Sequence, residues 1–113
     1  MSRNNAARQA RAASVFAALG DPNRLRLVSR LGDGRRHSIA NLATGFGLTR
    51  QGVTKHLRVL EEAGLVTSER VGRESQYVID LGAIREARNY LARVAQQWDD
   101  ALGRLKNFVE GGD

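Results

Sequence analysis

Residues 38–66 read SIANLATGFGLTRQGVTKHLRVLEEAGLV, and the order of caps, apolar residues and glycines in this stretch decides the fold. Ser38 is a good N-cap for a short helix over residues 39–46, which Gly47 closes. Thr49 can cap a second, longer helix. Two helices joined by a tight turn that contains glycine are the pattern of a helix-turn-helix.

The second of these helices has one apolar face and one basic face. Val53, Leu57 and Leu60 recur at helical spacing and are predicted to face the core. The outer face suits DNA, since arginine can bind guanine, glutamine can bind adenine, and lysine can bind phosphates. The residues predicted to contact DNA on this helix are Thr49, Arg50, Gln51, Gly52, Thr54, Lys55 and Arg58.

Gly52 occupies the third helical position, where a capping-box glutamate is common. A carboxylate at that point would repel phosphates, and a glycine lets the backbone come close to a groove. The acids Glu61 and Glu62 appear only in the last turn. The alternative interpretation is an ordinary solvated face with an indifferent glycine.

Residues 65–71 and 75–80 have strand-like composition, and Gly72 can supply the turn between them. A two-stranded hairpin that follows a helix-turn-helix is a wing. Its tip presents Arg73, with Arg70 nearby, and an arginine on a narrow tip can reach a minor groove or the flanking backbone. The alternative is that both arginines only protect a strand edge by their charge.

Helices are also predicted on both sides of this unit. Residues 9–20 have helical spacing and end in glycine. Asp21 caps the next helix, whose buried stripe is predicted to be Leu25, Val28 and Leu31.

The last predicted helix runs from the cap Asp80 to about Val109, and its apolar residues repeat every seven positions. The seam extends over about four heptads, which is more than a domain of this size can cover by itself. Trp98 could line an effector pocket, but its position on the seam favours a helix interface.

The 113 residues, with 42% hydrophobic content, predict a single folded domain over residues 9–113, preceded by a basic arm over residues 1–8. The net charge is +6, and residues 1–73 hold 13 Lys/Arg against 5 Asp/Glu, whereas residues 74–113 hold 5 against 7. The basic character therefore points to the front two thirds for an acidic partner. The first residues could mimic a transit peptide, although an arm that leads into the first helix fits better.

The expected fold class is mainly α with a small β-hairpin, an α+β winged helix-turn-helix of about five helices and a two-stranded wing.

No apolar run approaches a membrane span, and a chain without cysteine fits a reducing cytoplasm. Neither His37, in a loop or short strand, nor His56, between the two faces of its helix, belongs to a cluster with metal-ligand spacing. No arrangement suited to catalysis is present, so no enzyme activity, cofactor or metal is expected.

Three runs, VFAALGDPNRLRLVSRL, SIANLATGFGLTRQGVTKHLRVLEEAGLV and ERVGRESQYVID, resemble the ArsR/SmtB family of winged-helix transcriptional repressors. The resemblance covers about residues 12–109 and is most specific over residues 48–66. It implies that Thr49 to Arg58 read the groove and that Arg70 to Arg73 make the wing contact. It further implies a homodimer joined by the first and last helices, an inverted-repeat operator, and repression relieved by an inducer.

The resemblance also indicates which properties of the family are absent here. The paired cysteines of the family's metal sensors are replaced by Ala40, Asn41, Leu42 and Ala43, and the aspartate and histidine ligands of the last helix are missing. The tail NYLARVAQQWDDALGRLKNFVE resembles a cysteine-free branch of the family. An effector, if there is one, is therefore expected to be a small molecule or a protein, and not a metal ion. The residues predicted to form the dimer interface are Val15, Phe16, Leu19, Ile84, Leu91, Val94, Trp98, Leu105 and Phe108.

These inferences predict a homodimeric repressor that binds double-stranded DNA and does not associate with membranes. One competing hypothesis is a protein-interaction module that uses the same scaffold and seam to join a larger assembly, and the acid-poor basic face argues against it. A second is a small enzyme or a metal-regulated sensor, which the residue inventory opposes.

Overall fold

The computed structural model describes residues 2–111, with side chains from Asn4 onward. Within that range the chain forms five α-helices, three β-strands and one short 3-10 turn. In chain order they are α1 Ser2–Leu19, α2 Pro22–Arg30, the 3-10 turn Leu31–Asp33, β1 His37–Ser38, α3 Ile39–Ala43, α4 Arg50–Glu62, β2 Val66–Val71, β3 Glu74–Ile79 and α5 Leu81–Glu110. The predicted fold class, a mainly α winged helix-turn-helix, is confirmed.

Four helices begin at side-chain caps, and all four caps are those predicted from the sequence. Each cap accepts a hydrogen bond from a backbone N–H group two or three residues later, which satisfies a donor that the helix itself leaves open. The caps are Asp21, Ser38, Thr49 and Asp80. At Asp21, the bond from the backbone N–H of Arg24 is the main cause of a lowered carboxyl pKa.

The sheet has one strand more than predicted. β2 and β3 form the expected hairpin, and β1 pairs antiparallel with the other edge of β3, in the order β1-β3-β2. In this register His37 lies opposite Tyr77, which confirms the short-strand alternative for His37. A strand of two residues is too short for an alternating pattern to reveal it.

The core lies between the helices and the sheet, and its eight largest fully buried side chains are Leu27, Leu31, Leu42, Leu57, Leu60, Leu65, Val53 and Val66. The stripe predicted for α2 is wrong at one position, because Leu27 is fully buried while Leu25 is 52% exposed. Both leucines fit a helical period, and tertiary packing places Leu27 in the core.

Two helix ends also differ from the predictions. α1 begins at Ser2 instead of near Gln9, because the alanines before Gln9 favour helix without adding an apolar stripe. α3 ends at Ala43 instead of at residue 46, since Thr44 is already extended, with a ψ of 122°, and Gly45 then adopts a left-handed φ of 68°.

α5 changes its environment along its 30 residues. Near its start it packs on α1, where the rings of Phe16 and Tyr90 lie 6.1 Å apart. From Ala95 to Gly111 every residue except Ala101 is exposed. The distal half of α5 is therefore uncovered by the rest of the described chain. No helix within residues 2–111 has the length and apolar character needed to cross a membrane.

Candidate DNA interface

α4 is held by its apolar face and presents its polar face outward. Val53, Leu57 and Leu60 are each 0% exposed, as predicted, and they fix the rotation of the helix about its axis. At the N-terminus Thr49 Oγ1 accepts a hydrogen bond of 3.0 Å from the N–H of Gly52. The first turn therefore begins at a defined point on the surface.

The basic side chains of α4 form no ion pair with the described part of the protein. Arg50, Lys55 and Arg58 are exposed. The three ion pairs found within residues 2–111 join Arg11 to Glu86, Arg36 to Glu69 and His37 to Asp33, and none of them involves α4. Together with the partial positive charge of the helix N-terminus, these cations form a surface that attracts phosphates.

Gln51 and Thr54 differ in what they offer to a base. Gln51 is exposed, so its amide is open to a bidentate contact. Thr54 is half-buried, and its hydroxyl donates a 2.8 Å hydrogen bond to the carbonyl oxygen of Arg50. That bond commits the hydroxyl proton to the helix and leaves the methyl group and an oxygen lone pair for DNA.

Gly52 is not required by the packing of the protein itself. A Cβ added there would lie 3.4 Å from Thr49 Oγ1 and 3.7 Å from Leu48 Cβ, which are ordinary contact distances. Its φ lies outside the left-handed region. The free protein thus has room for alanine at this position, and the predicted close approach to DNA stays a prediction.

The acid at the far end of α4 is engaged with the wing. Glu61 Oε2 accepts a 2.6 Å hydrogen bond from the hydroxyl of Ser68 on β2. On the other side of the hairpin Glu69 pairs with Arg36 at 2.6 Å. These contacts tie the wing both to α4 and to the loop before β1.

The wing turns through two residues, Gly72 and Arg73, between the paired Val71 and Glu74. Gly72 has a φ of 62°, so glycine is needed at the first turn position, as in a type II′ hairpin. Arg70 and Arg73 are both exposed. Glu74 is exposed beside them, so the tip carries mixed charge.

The residues predicted for a dimer interface divide into two groups. Val15 is buried in the protomer's own core, and Phe16, Leu19 and Ile84 pack against that core. The others lie along the outer part of α5, where Val94 is half-buried and the exposed members are Leu91, Trp98, Leu105 and Phe108. Little of Val15 is left for a partner, whereas the α5 group offers a broad apolar surface.

Comparison with known proteins finds the same architecture. A family model described as a helix-turn-helix domain matches residues 19–69. The HTH-type transcriptional regulator CmtR of Mycobacterium bovis is 35% identical over 102 residues, which cover 90% of this chain and 74% of that protein. The solved structure of an ArsR-like transcriptional regulator from Rhodococcus sp. RHA1 superposes with a TM-score of 0.77 at 37% identity, covering 88% of this chain and 93% of the other. The chain belongs to the ArsR/SmtB family.

A further solved structure belongs to a possible ArsR-family transcriptional regulator and shows the oligomeric state of that protein. It is the solution structure of a homodimeric winged helix-turn-helix DNA-binding domain from Mycobacterium bovis, with a TM-score of 0.66 and 26% identity. The match covers 86% of this chain and 88% of the other. As a member of the ArsR/SmtB family, this chain is a transcriptional regulator with a DNA-binding winged helix-turn-helix.

The histidines of this ArsR/SmtB protein take part in hydrogen bonds within the fold. His37 Nε2 lies 2.9 Å from Asp33 Oδ2, and its Nδ1 lies 3.0 Å from Asn41 Oδ1. The bond to Asp33 is the main cause of a raised His37 pKa. His56 Nδ1 lies 3.5 Å from Arg24 Nη1. Across the part of the chain that the structure describes, no group of three or more His, Cys, Asp or Glu residues is placed to hold a metal ion.

Sequence reasoning missed two residues of the α5 surface, Leu102 and Val109, which are 58% and 70% exposed. They extend the face of Trp98 and Leu105 by alternating steps of four and three residues. A search for a further set of positions, four residues after Trp98 and Leu105, would have found them.

Proposed function

We propose that this ArsR/SmtB regulator is a homodimeric repressor that binds an inverted-repeat operator through α4 and the wing. The observation that carries the proposal is the capped N-terminus of α4, where exposed Arg50, Gln51 and Lys55 stand without an acid among them. Base-edge contacts by Arg50, Gln51 and Thr54 supply the sequence preference. Lys55, Arg58 and the wing residues Arg70 and Arg73 contact the phosphates or an adjacent minor groove.

The dimer brings two copies of α4 into register with DNA. A two-fold axis places the two helices in successive major grooves about 34 Å apart, which corresponds to half-sites one helical turn apart. The exposed apolar residues of α5 supply the surface that a second copy would cover, and the homodimeric relative supports this assembly.

An inducer relieves repression, and it is not a metal ion. The support is chemical, since the chain contains no cysteine. By the family resemblance, the segment Ala40, Asn41, Leu42 and Ala43 of α3 stands where the metal sensors carry their paired cysteines. Purified protein should contain no stoichiometric transition metal by elemental analysis, and added zinc should leave operator affinity unchanged.

Selection of bound DNA from genomic fragments tests the proposal. The expected result is one class of sequence with inverted repeats whose half-sites are one turn apart. Binding to this class should outlast competition by non-specific DNA at physiological salt. A protein-interaction module would instead show only salt-labile binding without sequence preference, and that result would refute the repressor proposal.

A further inference from the structure

The turn between α3 and α4, residues 44–49, sets the direction in which the DNA-facing helix leaves the body. Within this turn the N–H of Phe46 bonds back to the carbonyl of Ala43, and the N–H of Thr44 bonds back to Asn41. Gly45 and Gly47 both adopt left-handed φ angles, of 68° and 81°. A backbone with two such glycines has many alternatives when it is not held from outside.

Two arginines of α2 hold this turn from outside. Arg26 and Arg30 are four residues apart, so they lie on the same face of α2. Arg30 Nη1 donates hydrogen bonds of 2.7 Å to the carbonyl oxygens of both Leu42 and Thr44. These oxygens belong to the last part of α3 and to the start of the turn, so one guanidinium joins the two segments.

The same two guanidinium groups stack on the ring that anchors the turn. Phe46 is 3% exposed and belongs to the core. The Cζ atoms of Arg26 and Arg30 lie 4.2 Å and 5.0 Å from the centre of its ring, within the range of a cation–π contact. Arg26 Nη1 also makes a long, 3.5 Å hydrogen bond to the Phe46 carbonyl oxygen. The turn is thus held on its core side by the buried Phe46 ring and on its outer side by the guanidinium groups of Arg26 and Arg30.

We propose that Arg26 and Arg30 are positioning residues for DNA binding, which set the angle of α4 through this turn instead of contacting DNA themselves. We call the pair with its ring, Arg26, Arg30 and Phe46, the α2 clamp. The proposal rests on the proposed DNA-binding function. It separates these arginines from Arg50 and Arg58, although all four are exposed cations in the basic front of the chain.

Lysine substitution distinguishes a clamp from a phosphate contact. A lysine keeps the charge but lacks the planar group that can stack on Phe46 while it bridges two carbonyls. Arg30→Lys and Arg30→Ala should therefore both weaken operator binding by about 10-fold or more. The slope of log affinity against log salt should stay at the wild-type value, since no phosphate contact is lost.

A phosphate-contacting Arg30 gives the opposite pattern. Arg30→Lys would then bind nearly as wild type, and Arg30→Ala would reduce the magnitude of the salt slope by about one. Either result overturns the proposal. Arg35→Ala, which removes one exposed charge from the loop outside the clamp, measures the effect of charge alone. Arg26→Lys is a second, milder variant in case Arg30→Ala does not fold.

Amide hydrogen exchange separates positioning from general stability, and it needs no DNA. In Arg30→Lys the amides of Thr44 and Phe46, which are hydrogen-bonded within the turn, should exchange faster, while those of the core strands β2 and β3 keep their wild-type protection. Uniformly faster exchange would identify Arg30 as a stabilising residue without a positioning role, and unchanged exchange would exclude the clamp. If the wild-type protein selects no operator, the proposed function fails, and the exchange data still decide whether the clamp exists.

Discussion

α4 and α5 are both amphipathic helices, yet they use their two faces in opposite ways. The apolar stripe of α4 is 0% exposed, and its polar face is open. Along the distal half of α5 the large apolar residues remain open, from 58% for Leu102 to 78% for Phe108. α4 therefore completes the protomer's core and offers charge to a partner, whereas α5 offers apolar area.

The difference shows that an amphipathic pattern does not by itself identify which face meets a partner. A polar face without counter-charges attracts a polyanion through long-range electrostatics. An uncovered apolar face instead gains free energy by leaving water, and a large contiguous one marks an interaction surface. The two helices thus predict two kinds of partner, DNA for α4 and a second apolar helix surface for α5.

The largest effect is expected from the buried stripe of α4. Leu57→Ala should lower the free energy of unfolding by about 2–5 kcal/mol, because it leaves a cavity in a fully packed core. Leu25→Ala, the same change at an exposed site on α2, should alter that free energy by less than about 0.5 kcal/mol. Urea denaturation measures both, and equal losses would contradict the exposed position of Leu25 on α2.

The apolar surface of α5 should matter for assembly instead. Trp98 is 65% exposed in the protomer, and its burial between two copies would contribute on the order of 2–3 kcal/mol per subunit. Trp98→Ala should therefore shift the monomer–dimer equilibrium toward monomer in analytical ultracentrifugation, while Gln97→Ala leaves it in place. A Trp98→Ala protein that is still fully dimeric at micromolar concentration would rule out this residue as an interface anchor.

The polar face of α4 should matter for sequence reading. Arg50→Ala should weaken operator binding by about 1–3 kcal/mol and relax the preference at one base pair in each half-site. Lys55→Ala is the matched comparison, since loss of a phosphate contact weakens binding to all sequences alike and reduces the salt slope. If Arg50→Ala kept both affinity and preference, α4 would not be the reading helix.

Substitution of Gly52 should affect protein stability and DNA affinity in opposite directions. Gly52→Ala should raise the free energy of unfolding by about 0.5–1 kcal/mol, because alanine favours the helix and the added Cβ has room. The same variant should bind the operator more weakly if the backbone approaches DNA there. A variant that gains stability and keeps full operator affinity would show that Gly52 is a surface residue without a role in DNA binding.

The smallest effect concerns His37, which lies on β1 and so belongs to neither α4 nor α5. Its pKa is raised in the folded protein, chiefly by the hydrogen bond to Asp33. The stability that the protonated form contributes is therefore complete below the unfolded pKa near 6.5 and is lost as pH rises through the folded pKa. The difference in urea midpoint between wild type and His37→Gln should shrink as pH rises from about 5 to 9. A constant difference would mean that His37 contributes by packing alone.

Much of the fold was predictable because its signals are local. Caps, glycines and apolar spacing act within a few residues, so Asp21, Ser38, Thr49 and Asp80 could each be placed correctly. Apart from the two misplaced helix ends of α1 and α3, the predictions were wrong where the deciding contact is distant. Leu25 and Leu27 fit the helix equally well, and β1 exists only because β3 lies beside it.

In the candidate DNA interface, too, some features could be predicted from the sequence and others could not. The outward position of Arg50, Gln51 and Lys55 followed from the periodicity of α4. The committed hydroxyl of Thr54 and the link from Glu61 to Ser68 did not, since both depend on side-chain positions in space. The contacts to DNA stay predictions for all of these residues.

The sequence by itself determined the helix-turn-helix, the wing, the acid-free basic face and the long apolar seam, because each is written in spacing and residue type. The tertiary structure decided which residues are used up inside the protomer and which remain available. Val15 is buried in the core, whereas Trp98 and Leu102 are exposed. Arg30 donates hydrogen bonds to the carbonyl oxygens of Leu42 and Thr44. Such choices depend on which surfaces meet when distant segments pack, and that information is distributed over the whole chain.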